Sequence, residues 1–192
     1  VDIGGEEQLV QFDWIPWNGR DKASSTKKFD NLGGFSATLK ASGDASKTRW
    51  LGEINVMGKY GFANGEGVLG NTTEGLVLEF SGLKKGSYKL QTVHHAPRTN
   101  TDSMDPNQEK MTTYQIYQIP YAKKLEIQVN DANGSTILEK VKVTEGKIMQ
   151  TQPFGSAEML FSSDGVNPVV IRFSSKEQKA VWLNSFVLSQ WF

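Results

Sequence analysis

The chain has 192 residues, 38% of them hydrophobic, with five Trp, ten Phe and five Tyr. That length and composition fit one folded domain, residues 1–192, and exclude a disordered chain. Twenty-one basic residues balance 21 acidic ones and cysteine is absent, so there is no long-range field to recruit nucleic acid or an anionic membrane, and no disulfide, thiol nucleophile or thiolate metal site.

Taken in chain order, the first clear strand is FSATLKA, Phe35 to Ala41. Val56 to Gly75 is glycine-rich and reads as a long loop. LVLEFSGL puts Leu76, Leu78 and Phe80 on one side and Val77, Glu79 and Ser81 on the other, the period of two of a half-buried strand. SYKLQTVHH continues the alternation, and the intervening GLKKG predicts a hairpin between the two. Ala96 to Lys124 then reads as a long loop insertion, a length that is unusual without a function. LEIQVND and TILEKVKV flank DANGS, where Asn133-Gly134 is a strong hairpin signal. AEMLFSS and NPVVIRFSS follow as strands. AVWLNSFVLS, apolar on both faces, predicts a central strand, reached through the turn KEQK. No segment carries a sustained helical stripe. The expected fold is an all-β, antiparallel two-sheet sandwich of jelly-roll type.

His94 and His95 are the two histidines of the chain. Neighbours on a strand face opposite ways, so a single metal ion could take both only if the backbone bends there. The expectation is that one ring packs at a sheet edge while the other meets solvent. The acidic spacing of an EF-hand is missing around Asp131, Asn133 and Gly134. No cofactor is expected; a structural calcium held by loop oxygens stays open, but the sequence does not locate one. There is no G-x-S-x-G. Asp102, Asp105 and Glu109 could supply carboxylates for hydrolysis, and His94, His95, Arg98 and Tyr114 could supply the acid, base and charge neutraliser of a lyase.

The aromatic residues carry a different signal. Trp14 and Trp17 flank Pro16 outside any alternation, Trp50 follows Arg49, and Tyr114, Tyr117 and Tyr121 recur in the long loop. Sugar rings offer C–H faces that stack on aromatic rings, and Arg and His side chains bond hydroxyls. The pool expected to contain ligand contacts is Trp14, Trp17, Trp50, His94, His95, Arg98, Tyr114 and Tyr117. Core packing between the sheets is the competing expectation for Trp14 and Trp17, and a place on an edge strand covering the core is that for Trp50. Trp182 is expected in the core, and Trp191 is expected to anchor the last strand.

The phrases LVLEFSGLKKGSYKLQTVHHAP and DGVNPVVIRFSS with AVWLNSFVLS resemble signature segments of galactose-binding-domain-like β-sandwiches, similar to carbohydrate-binding modules and malectin-like domains of secreted bacterial proteins. The similarity covers Leu76 to Pro97 and Asp164 to Ser189, with a weaker match at VDIGG. Ala96 stands where the signature favours Asp. The resemblance implies a sandwich that binds sugar either at its loop end or on a sheet face. The function expected is a non-catalytic module binding a polysaccharide or oligosaccharide, secreted or cell-surface, and tethered to other domains. The alternatives are a polysaccharide lyase or hydrolase using His94, His95, Arg98 and Tyr114, and a structural or adhesion module that binds no sugar.

Overall fold

Alternation of apolar and polar residues builds the sheets. The computed structural model describes residues 1–5, 10, 12–19, 24–42, 48–51, 67–70, 75–96, 121–145 and 154–191. Its strands in chain order are β1 (Asp2–Gly4), β2 (Pro16–Asn18), β3 (Ser24–Phe29), β4 (Phe35–Ala41), β5 (Thr48–Leu51), β6 (Gly67–Gly70), β7 (Leu76–Ser81), β8 (Gly86–Val93), β9 (His95–Ala96), β10 (Lys124–Asp131), β11 (Gly134–Lys142), β12 (Thr144–Glu145), β13 (Ser156–Ser163), β14 (Val169–Ser174), β15 (Val181–Leu183) and β16 (Ser185–Trp191). Among the described residues the one helical element is a 3-10 turn, Asp30–Leu32. A six-stranded sheet runs β11-β10-β14-β7-β4-β3 and a five-stranded sheet runs β13-β8-β16-β1-β2. Every pairing in the first is antiparallel, and so is every one in the second except β1 with β2.

The sheets face each other across a shared apolar layer. Leu78 pairs with Leu39 and with Ile171, and Phe80 with Ala37 and with Val169, so one face of the six-stranded sheet is a continuous apolar surface. Phe80 bridges to the other sheet, edge-on to Phe186 at 5.7 Å and stacked on Phe161 at 6.2 Å. These offset and T-shaped contacts suit ring quadrupoles and add to the area buried. The all-β antiparallel sandwich expected from the sequence is the fold found.

Three local expectations need correction. β7 and β8 do not form a hairpin: β7 pairs with β4 and β14, β8 with β13 and β16. The turn between them crosses from one sheet to the other. Leu83, buried within it, plugs the end of the core. AVWLNSFVLS is two strands, not one, because Asn184 interrupts it; β15 joins β6 in a three-stranded sheet while β16 sits centrally between β8 and β1. The loop expected over Val56 to Gly75 contains β6; its residues 56–66 and 71–74 lie outside the described ones. The hairpin at Asp131 to Gly134 does form, with those two residues paired and Gly134 carrying the positive φ of 125°.

Candidate functional site

The two histidines terminate β8 and open β9, and both are fully buried. His94 Nδ1 lies 2.7 Å from the Trp182 carbonyl, and Nε2 lies 2.9 Å from the Thr92 hydroxyl. A carbonyl only accepts, so Nδ1 carries the proton and Nε2 accepts from Thr92. Burial pushes the imidazole down to about 4, against the opposing pull of the Trp182 carbonyl. His95 is held differently. Its backbone N–H donates to Asn184 Oδ1 at 2.6 Å and its carbonyl accepts from Asn184 Nδ2 at 2.9 Å. The amide of Asn184 therefore takes the place of a neighbouring strand. The His95 ring pairs with Thr144 Oγ1 at 3.0 Å and meets the edge of Phe154 at 5.1 Å.

These placements correct several expected ligand contacts. His94 and His95 are sealed inside, so neither can meet a ligand or a substrate at the surface; a base has to reach the proton it takes. The expectation that one ring would face solvent fails because both are enclosed, His94 by Trp182 and Thr92, His95 by Thr144 and Phe154. Trp17 is 2% exposed, donates from Nε1 to Ser25 Oγ at 3.0 Å, and packs edge-on to Phe186. Trp50 is buried 6.0 Å from Trp17. Gly19 is what lets it sit there: a Cβ at that position would lie 2.0 Å from the Trp50 ring. Both tryptophans are core. Arg98, Tyr114 and Tyr117 lie outside the described residues, as do 97–120 of the loop expected at Ala96 to Lys124. Tyr121 is buried, and Trp182 is in the core as expected.

Trp14 stands apart from these. It is half-buried and lines a groove of about 370 Å³ on the outer face of the five-stranded sheet, with Gln91, Val93, Ser156, Glu158, Ser185 and Val187. Register shows how the face is laid out. One rung holds Glu158, Gln91 and Val187, the next Leu160, Lys89 and Ser189, and the next Ser162, Ser87 and Trp191. Leu160 is 59% exposed, Val187 42% and Trp191 54%. Lys89 Nζ sits 5.8 Å from the centre of the Trp191 ring and 2.7 Å from Glu158 Oε2. From Ser185 to Trp191 this strand runs six residue steps, about 20 Å at the rise of a strand.

The outer face of the other sheet is richer in paired polar groups. Thr26 pairs with Thr38 at 2.9 Å, Lys40 with Glu79 at 3.1 Å, Gln128 with Ser135 at 3.0 Å, and Arg172 with Ser42. Among its described residues Ile137, across from Gln128, is exposed at 52%, set singly among these polar pairs. Exposed Leu, Val and Trp together on the other face are what a binding surface carries.

The sequence reading placed Trp191 as an anchor and did not single out Lys89, Gln91, Glu158, Leu160 or Val187. The signal was partial: with Phe186 and Leu188 turned toward the core, alternation puts Val187 on the outer face, whereas Val181 and Leu183, before the break at Asn184, are buried.

Among the described residues no group of three or more His, Cys, Asp or Glu is placed to hold a metal ion. No protein-family model and no curated protein matches the sequence. Some solved structures are similar over most of the chain. The chain is similar to the carbohydrate-binding module TmCBM61 in complex with β-1,4-galactotriose, with 10% identity, TM-score 0.33, and coverage of 90% of this chain and 92% of that one. It is similar to the CBM22-1 xylan-binding domain of Xyn10C from Paenibacillus barcinonensis, with 12% identity, TM-score 0.39 and coverage of 90% and 97%. It is also similar to part of an exo-β-1,3-galactanase from Phanerochaete chrysosporium, at 12% identity and TM-score 0.36, covering 86% of this chain and 29% of that one.

Proposed function

We propose that this chain is a non-catalytic carbohydrate-binding module that holds an oligosaccharide or polysaccharide along the outer face of its five-stranded sheet. One observation carries this: an exposed Trp191, a half-buried Trp14 and the exposed Leu160 and Val187 share a face with a Lys89–Glu158–Gln91 polar group. Pyranose C–H faces stack on indole rings while hydroxyls bond the polar side chains between them. Among the described residues Trp14 is the one member of the expected contact pool that this site retains. An open face orders few ligand groups and competes with water, so binding per site is weak, and avidity through tethering to other domains supplies the rest. The setting that suits such a module is secreted or cell-surface. Among the described residues no helix is long and apolar enough to cross a membrane.

A structural or adhesion role is the second reading, favoured by the exposed Leu160 and Val187. The polar group set between the apolar residues favours a hydroxyl-rich occupant over a protein one. Affinity electrophoresis in gels containing soluble polysaccharides tests the choice. Retention by at least one polysaccharide is expected, weakened about tenfold in Trp191→Ala with no change in melting temperature, as loss of a stacking aromatic implies. Absence of retention across the panel, or retention indifferent to both Trp14→Ala and Trp191→Ala, refutes the proposal.

A further inference from the structure

Lys89, Gln91 and Glu158 stand at the middle of the outer face, on adjacent rungs of β8 and β13. Lys89 Nζ reaches Glu158 Oε2 at 2.7 Å and Gln91 Nε2 reaches the same oxygen at 2.9 Å. Two donors from a neighbouring strand thus fix the carboxylate before any ligand arrives, which reduces the ordering cost of using it. Both bonds end on Oε2. Among the described residues this leaves Oε1 as the remaining acceptor, on a side chain that is 52% exposed.

The charge on the face is compensated internally. Lys89, beside the groove, is neutralised by Glu158 and lies against the Trp191 ring, and among the described residues lining the groove there is no Lys or Arg. An incoming carboxylate or sulfate would find no uncommitted cation among those described groove residues and would meet Glu158 directly. An ionised carboxylate only accepts hydrogen bonds, so its partner must be a donor such as a hydroxyl. The bond from Lys89 above all, and then that from Gln91, hold the Glu158 carboxyl below the usual carboxylate range, so it is ionised at neutral pH.

We propose that this face selects an uncharged, hydroxyl-rich glycan, with Glu158 Oε1 accepting a sugar hydroxyl beside the ring stacked on Trp191, and excludes carboxylated and sulfated polysaccharides. The inference rests on the sugar-binding reading of the face and adds the ligand's charge class and the residue that sets it. Glu158 is the specificity residue; Lys89 and Gln91 position it.

The test is affinity electrophoresis of the wild type, Glu158→Gln and Trp191→Ala against neutral probes (xylan, β-1,4-galactan, galactomannan, β-1,3-glucan) and anionic ones (polygalacturonate, alginate, dextran sulfate). The runs are made at about 0.05 M and about 0.5 M salt, spanning strong and weak screening. The expected result is retention by a neutral glycan that salt leaves unchanged, no retention by any anionic one, and a loss of about tenfold in Glu158→Gln, the worth of a charge-assisted hydrogen bond. Retention of the wild type by an anionic glycan, abolished by salt, overturns the charge assignment while sugar binding stands. Neutral retention lost in Trp191→Ala but intact in Glu158→Gln overturns the role of Glu158 alone. No retention by any probe overturns both the inference and the function it rests on. Circular dichroism of Glu158→Gln, expected to match the wild type because the residue is exposed, keeps a folding defect from being read as a binding one.

Discussion

Lowering the pH from 7 to 5 should destabilise this protein through His94. In the folded state burial holds the imidazole at about 4, below its ordinary 6.5. As pH falls through 6.5 the unfolded chain takes up the proton first, so stability is lost from there downward and the loss levels off near 4. Between pH 7 and pH 5 the linkage integral for those two values is about 2 kcal/mol. For a domain of this size that lowers the melting temperature by roughly 4 to 8 °C. The assay is thermal unfolding followed by circular dichroism at both pH values, for the wild type and for His94→Gln. The variant is less stable at pH 7, because it gives up the fit to Trp182 and Thr92, but it should show a much smaller drop on acidification. If wild type and variant lose the same amount between pH 7 and 5, His94 is not a buried neutral imidazole and the account of its enclosure by Trp182 and Thr92 is wrong.

Other perturbations probe the same architecture. Gly155→Ala should cost about 3 kcal/mol in urea unfolding, because its Cβ would lie 2.3 Å from the Lys142 carbonyl oxygen and 2.7 Å from that of His94, backbone atoms that cannot step aside. Asn184→Ala should cost roughly 2 to 4 kcal/mol, since it removes the side-chain amide that bonds both the backbone N–H and the C=O of the buried His95; amide hydrogen exchange at His95 should accelerate with it. Phe80→Ala, which empties the contact between the sheets, should cost about 3 to 5 kcal/mol in the same unfolding assay. Trp191→Ala should leave the melting temperature unchanged, because the ring lies outside the core.

Period-two alternation made β4, β7, β8, β10, β13 and β14 legible, because each has one face in the core and one in water. What alternation does not encode is which sheet a strand joins. A turn such as GLKKG can close a hairpin or carry the chain across the sandwich with the same residues, and Leu83, tucked under the crossing, decides for the second. β15 and β16 were read as one strand because β-propensity is continuous through Asn184; the break arises from long-range bonds to His95, 89 positions away in the chain. The histidines misled for a related reason. Polar residues at a strand end are usually solvated, and these are buried because Trp182, Thr144 and Asn184 come from other segments, with Thr92 from the same strand, to satisfy them. Trp17 and Trp50 could not be sorted from Trp14 by sequence, as all three lie outside clean alternation, and only packing separates them. Trp191, by contrast, shares its outward parity with Val187 and Ser189, a relation visible once the inner register is fixed.

The central claim is that the outer face of the five-stranded sheet is the glycan face. An amide-resolved NMR titration with a polysaccharide fragment that the protein retains tests it most directly. The shifts should cluster at Gln91, Lys89, Glu158, Val187, Ser189 and Trp191 and spare Thr38, Glu79 and Gln128 on the opposite sheet. Shifts concentrated on that opposite sheet, or at the turns closing one end of the sandwich, would contradict it.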